Sequence, residues 1–590
     1  MSFDLSRPAI LPEIDLPDAK GLIDSGRALA TSVKVGPSRF LQAHNVVSEA
    51  AYKRARAADG QLMFHAQVGW RDPMLTAENM ALIENRVAEH GGKVDRYGIC
   101  LDWSMGFPSG ERDGRQRGTG LVLSGAEDFR LLADASTVAP HFGDFVIGMP
   151  AALENTVAAL QAGATAIGNL GQYFTFRLPD WDDDVEITAR SVEAIALCAA
   201  QPIDILIHSN LDDGFAARFS DLACALGAVL IERYIVEDLL DGTLGHCYGH
   251  TFSNLNTRHA FQIALADTGG NAPGTMIYGN TTAFTDNEAE SYAALAAYLA
   301  TDIASLRETG TGHALTPIPV TEAVRIPSVD EIIDAQIFAS RLVARLGTAS
   351  PQRPSEDVLS LAEVIKTGGE QFFDRVMRGL REAGYDTENP FEMLLALRRI
   401  GAAELERAFG PGVEDPTGYY GRAPLVTSSV IDEVSQQANS IIDNLAPSII
   451  DNLKKRAPRI CVATTDVHEY GKRLVELVLK KIGVETIDGG VSTDADDLAA
   501  FAREFEADVI AVSTYNGVAS SFICQLTDEI EKLELQADVY IGGRLNAVPD
   551  GSNTGIPVDD LNAIKVAGAI PCARVEDMLI DIAHKNRNTP

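Results

Sequence analysis

The stretch "RICVATTDVHEYGKRLVELVLKKIG", residues 459–483, decides how the C-terminal part of this chain folds. A short apolar run reads as a buried strand, a longer amphipathic run closed by Gly483 reads as a helix, and "TDVHEYG" is the turn between them. In an open α/β sheet ligands bind at the carboxyl ends of strands, so this turn is a place for chemistry. It holds Asp466, His468 and Gly471. An acid beside a histidine can fix the ring's tautomer and leave its other nitrogen for a metal. The same three residues alone would also fit a capping aspartate next to a surface histidine.

Two further strand ends belong to the same pattern. "AVSTYNG" (511–517) ends on Ser513 and Tyr515, and "YIGGRLN" (540–546) carries Gly542 and Gly543. Three such loops converge on one sheet edge and leave a slot with a hydroxyl donor and no obstructing side chains. Strand candidates "RICVATT", "VETIDGG", "DVIAVST", "DVYIGG" and "AIKVAG" within residues 456–590 predict a small doubly wound, flavodoxin-like parallel sheet.

Further out, residues 61–345 alternate short apolar runs with amphipathic ones. Eight strands are expected: "QLMFHAQ" (61–67), "YGICL" (97–101), "DFVIG" (144–148), "ATAIG" (164–168), "IDILIH" (203–208), "AVLIE" (228–232), "GTMIY" (274–278) and "AVRI" (323–326). That count and length predict an α/β fold, a (β/α)8 TIM barrel with its site at the strand C-termini. Residues 1–60 form an N-terminal extension and 346–455 a helical connector.

A chain of 590 residues exceeds a single core. Its net charge of −34 argues against nucleic acid or an anionic membrane as partner. Seven scattered cysteines without a CxxC pair fit a reducing cytoplasm. No run of about 18 apolar residues and no basic, apolar leader is expected to direct the chain to a membrane or out of the cell.

Asp466, His468, Gly471, Ser513 and Gly542–Gly543 in this order resemble the cobalamin-binding domain of adenosylcobalamin-dependent mutases and corrinoid methyltransferases. Tyr515 stands where that family usually has leucine. The resemblance implies that His468 ligates cobalt and that Asp466 holds its other nitrogen. Ser513 would bond the displaced base, and the glycines would leave room for the nucleotide tail. The barrel text "AQVGWRDP", "IGMPAALENTVAALQAGATAIGN", "MIYGNTTAFTDNEAES" and "VRIPSVDE" is similar to the large component of glutamate mutase, here fused to the cobalamin domain. The fused pair also resembles 2-methyleneglutarate mutase.

That resemblance implies adenosylcobalamin as cofactor, a radical carbon-skeleton rearrangement, a small carboxylate substrate and a homodimer. Arg71 matches a substrate-binding arginine. Two further family arginines fall near Met105–Gly106 and at Val146, and a family glutamate falls near Asn169, so glutamate itself is not the expected substrate. Tyr173 and His208 are expected pocket residues with Asn169. Arg325, and either Asp330 or Glu331, match residues that contact the adenosyl ribose. A corrinoid methyltransferase and a cobalamin carrier or sensor remain open alternatives.

Overall fold

The computed structural model describes the chain apart from residues 1–2, 117–119, 213–218, 270–272, 274, 286, 324–325, 348–353, 467, 516, 548–557 and 586–590. Seven parallel strands follow one another around a curled sheet. They are β1 (His65–Val68), β2 (Arg96–Ile99), β3 (Ala139–Phe142), β4 (Ala166–Ile167), β5 (Leu206–Asn210), β6 (Thr243–Tyr248) and β7 (Met276–Ile277). Leu315 makes a parallel bridge to Phe64 beside β1 and another to Ile277 in β7, so single-residue bridges stand where an eighth strand was expected.

Three expected strands of this half are elsewhere. "DFVIG" is a turn region after β3, and its Phe145, Val146 and Ile147 are buried at the sheet's mouth, where Trp103 packs on Phe145. "AVLIE" lies inside the helix Leu222–Arg233, because a short apolar run is equally at home in a buried helix. Ala323 of "AVRI" ends a short 3-10 turn, and residues 324–325 lie outside the described set.

The strands alternate in a way that fixes the interior. Ala66 and Val68 of β1 and Tyr97 and Ile99 of β2 pack outward into the largest core cluster. Their neighbours His65, Gln67, Arg96 and Gly98 turn inward. Fully covered parallel strands ordinarily read as continuous apolar runs, so these polar inward positions mark a chamber in place of packed filler.

The floor of the curl is closed by the helix Glu49–Ala58. Its Ala50 packs on Ala166 and Leu206, at the starts of β4 and β5. Glu49 Oε1 lies 2.5 Å from Lys53 Nζ and 3.2 Å from Arg96 Nε, and all three side chains are essentially sealed from solvent.

The C-terminal sheet contains β8 (Ile460–Thr464), β9 (Thr486–Asp488), β10 (Val509–Thr514), β11 (Asp538–Gly543) and β14 (Ile570–Cys572); a separate two-stranded ribbon of β12 (Asn546–Ala547) and β13 (Val558–Asp559) precedes the last of these in sequence. Its order is β14-β11-β10-β8-β9, all parallel, which is the doubly wound 2-1-3-4-5 arrangement. "AIKVAG" falls mainly in the helix Leu561–Val566 and the strand follows it, at Ile570.

Between the sheets, the helix Glu356–Glu382 lies against Leu222–Arg233 so closely that a Cβ on Gly227 would meet the Gly369 carbonyl at 2.7 Å. The helix Ser429–Asn444 packs on Tyr470–Ile482 of the C-terminal module. Among the described residues no helix is long and apolar enough to cross a membrane.

Candidate functional site

At the end of β8 the chain turns on Asp466, whose carboxylate is 2% exposed. Oδ1 accepts from the His468 N–H at 2.9 Å and lies 2.5 Å from His468 Nδ1. Oδ2 accepts from the Tyr515 N–H at 2.8 Å and from Thr465 Oγ1 at 3.1 Å. Burial by itself would raise this carboxyl. The His468 ring and the two backbone N–H groups outweigh burial and hold it below the ordinary range. An ionised carboxylate against Nδ1 keeps a proton there and leaves Nε2 as the ring's donor atom. The Tyr515 ring stacks on His468 with centroids 4.2 Å apart, and the Arg544 guanidinium lies 3.9 Å over the centre of the Tyr515 ring.

Two spaces meet this turn. One is a slot of about 110 Å3 within the C-terminal module, between β8, β10, β11 and β14. Gly471, Ser513, Gly542 and Gly543 line it with carbon-rich neighbours such as Val462, Val475 and Met578. A Cβ on Gly471 would stand 2.3 Å from Ser513 Oγ, and one on Gly543, at φ +104°, would stand 2.1 Å from the Thr514 carbonyl oxygen. A side chain at Gly471 would therefore crowd the slot, and one at Gly543 is excluded by the positive φ and the neighbouring strand's backbone.

The other space, of about 300 Å3, lies between the C-terminal module and the mouth of the curled sheet. His468, Tyr515 and Arg544 line one side; Gln67, His250, Tyr278 and Glu322 line the other. Arg544 also donates to the Glu322 carbonyl, tying the two walls together. Burial, reinforced by the positive field of Arg258, pushes the His250 imidazole down to about 3. It is neutral.

Gln67, His250 and Tyr278 also border a third space, an inner chamber of about 80 Å3 inside the curl. Asn169 and His208 line this chamber with Arg96, His65, His141 and Asp144. Asn169 Oδ1 accepts from the Asn210 N–H at 2.8 Å and the Gly171 N–H at 3.1 Å. His141 donates Nδ1–H to the Ala166 carbonyl at 3.0 Å, and its ring meets His208 edge to face at 4.8 Å.

The other expected residues have different surroundings. Arg71 is partly exposed just beyond β1. Tyr173 is buried against Phe174 and lines none of these three spaces. Glu331 closes a capping box with Ser328 at the start of the helix Val329–Leu346. Arg325 lies outside the described residues. Arg96, His65, His141, Glu322 and Arg544 were missed by sequence reasoning. For the first three the signal was there, as a histidine or arginine inside strands that should have been wholly apolar.

Residues 457–560 match the B12 binding domain family. Over 84 residues, 14% of this chain, the sequence is 32% identical to "Glutamate mutase sigma subunit 1" of Haloarcula marismortui, and the match spans 56% of that protein. A solved cobalamin-binding protein from Desulfitobacterium hafniense DCB-2 overlaps 26% of this chain and 69% of its own, at 19% identity and a TM-score of 0.20. The residues around the slot fit a corrinoid by their chemistry: an imidazole oriented by a buried acid, beside a cleft that a Cβ at Gly471 would crowd against Ser513 Oγ. The C-terminal module of this chain carries a B12-binding domain.

Proposed function

We propose that this chain is a cobalamin-dependent carbon-skeleton isomerase, with adenosylcobalamin as cofactor and a small carboxylic acid other than glutamate as substrate. One observation carries the reading. His468, held by Asp466, faces a space whose far wall of Gln67, His250 and Tyr278 is also the lip of a polar chamber inside the curled sheet. The mutase subunit named above supports the reaction class. When bound, such a cofactor supplies radical chemistry that side chains lack.

The protein's own part is positioning and enclosure. Asp466 keeps the proton on Nδ1, so that Nε2 of His468 is the atom that would hold the cobalt of a bound corrinoid. Gly471 and Gly542 keep the slot open for the nucleotide tail, and Ser513 offers it a hydroxyl. Tyr515 and Arg544 back the His468 ring, and the opposed walls keep water from the reacting centre. Asn169 and His208 form part of the substrate's enclosure, and Tyr278, just beyond β7, stands between it and the cofactor's side.

The test uses the full chain loaded with adenosylcobalamin and a panel of short mono- and dicarboxylic acids, read by paramagnetic resonance. A radical signal that depends on one acid is the expected result. Methyl transfer from methylcobalamin with no such signal would make the protein a corrinoid methyltransferase instead, and failure to take up any corrinoid would overturn both.

A further inference from the structure

The inner chamber has an excess of buried positive charge at its floor. Glu49 supplies one carboxylate, whereas Lys53 and Arg96 supply two cations, and all three are sealed. Arg96 Nη2 has no hydrogen-bond partner, and Nη1 has only the Met276 sulfur at 3.4 Å. Both nitrogens of His65 and Nε2 of His208 are likewise buried without a partner. Unmet donors in a dry interior are costly and call for an acceptor. Among the described residues no group of His, Cys, Asp or Glu is placed to hold a metal ion, and the guanidinium would repel one.

The neighbouring groups report the same field. After burial itself, Arg96 is the next cause that keeps His65, His141 and His208 neutral. Asp144, the chamber's other acid, is pushed up to about 6 by burial alone, with no contribution from Arg96, so it is largely ionised at neutral pH without being the guanidinium's partner. A guanidinium edge matches a carboxylate in shape as well as sign.

We infer that the inner chamber is a carboxylate-binding subsite in which Arg96 anchors a short-chain acid and the unpartnered imidazoles of His65 and His208 take its remaining polar groups. The subsite runs from Arg96, at the start of β2, to Asn169 and Asn210 at the mouth. This deepens the isomerase reading by naming the anchor for its substrate. Binding itself does not require the cofactor, so the two can fail separately.

The experiment is calorimetric titration of the full chain, free of corrinoid, with acetate, propionate, succinate and glutarate, and with propionamide as the uncharged counterpart of propionate. At least one acid should bind, and propionamide should not. Arg96→Gln leaves Glu49 paired with Lys53 and should weaken that acid by about thirtyfold or more. Gly98→Ala is a second variant that alters no charge: its Cβ would fall 2.2 Å from Gln67 Oε1, the movable end of a side chain, and would narrow the chamber. It should weaken the acid at least about tenfold while corrinoid uptake stays at the wild-type level. Equal affinity for acid and amide, or unchanged acid affinity in either variant, would overturn the assignment. Loss of corrinoid uptake by the wild-type chain, with acid binding intact, would sink the isomerase reading alone.

Discussion

Tyr515 lies nearly flat on His468, with 29° between the rings, and its own N–H bonds the same carboxylate that holds His468. Asp466 thus positions both the imidazole and the ring that backs it. Replacing Asp466 by Asn removes the negative charge and should weaken corrinoid binding about 10- to 100-fold, as loss of a ligand's supporting group commonly does. Titration followed by visible absorbance measures this. His468→Ala should abolish the nitrogen coupling of a protein imidazole in the resonance of the reduced corrinoid. Because the folded Asp466 carboxyl sits below its ordinary range, its support is present at neutral pH and is lost only as pH falls through that lowered value. Uptake should therefore be level between pH 8 and pH 5 as far as this group is concerned.

Gly471 separates a binding role from a folding one. It lies in the first turn of the helix Tyr470–Ile482, where alanine is intrinsically better by about 0.5–1 kcal/mol. Its added Cβ would meet Ser513 Oγ at 2.3 Å. Gly471→Ala should leave the denaturation midpoint unchanged or slightly higher while lowering corrinoid affinity at least about tenfold. Adding Ser513→Ala, which removes the oxygen but leaves a Cβ at 3.3 Å, should recover part of that loss.

Glu232 should make the protein less stable as pH rises. Its carboxyl is buried beside Ser209 Oγ at 2.7 Å, and burial pushes it up to about 8. The folded chain therefore binds a proton that the unfolded chain releases near the ordinary carboxylate value. Stability contributed by this group is full below that value and declines by about 1.4 kcal/mol per pH unit until pH reaches about 8. Glu232→Gln should flatten this slope and raise the melting temperature at pH 8; an unaltered slope would place the titration elsewhere.

Arg258 and Asp302 are both sealed and meet through two bonds, Nε to Oδ1 at 2.6 Å and Nη2 to Oδ2 at 2.8 Å. The same guanidinium donates to the Gly249 carbonyl at 2.7 Å and the Tyr278 carbonyl at 2.5 Å. Arg258→Met leaves Asp302 buried without its partner and should cost about 3–5 kcal/mol in chemical denaturation. Because Gly249 and Tyr278 flank the wall that faces His468, cofactor affinity should fall with it.

The C-terminal sheet was legible because its chemistry sits at strand ends: "TDVHEYG", "STY" and "GG" each follow an apolar run, and glycines have no other reason to be there. "AIKVAG" misled because its apolar spacing suits a helix equally well, and two residues beyond its end "IPC" is the actual strand. The curled sheet was harder. Apolar content picked out "DFVIG" and "AVLIE", which are buried but not extended. Meanwhile "APHF" and "TLGHCY", with proline, histidine and glycine, were passed over. His141 belongs to its strand because it faces the chamber, whereas His246 lies on another side, 3.9 Å from Glu232. Glu49 and Lys53 were illegible for another reason: only the tertiary closure of the N-terminal helix brings them beneath Arg96.

The floor is plugged by the helix Glu49–Ala58, and the lip of the inner chamber lies under the space in front of His468. A bulky ring settled in that outer space acts as a stopper over a blind well. Traffic then has a built-in order: the small guest must arrive before the large one is seated, or the two halves of the protein must part to admit it.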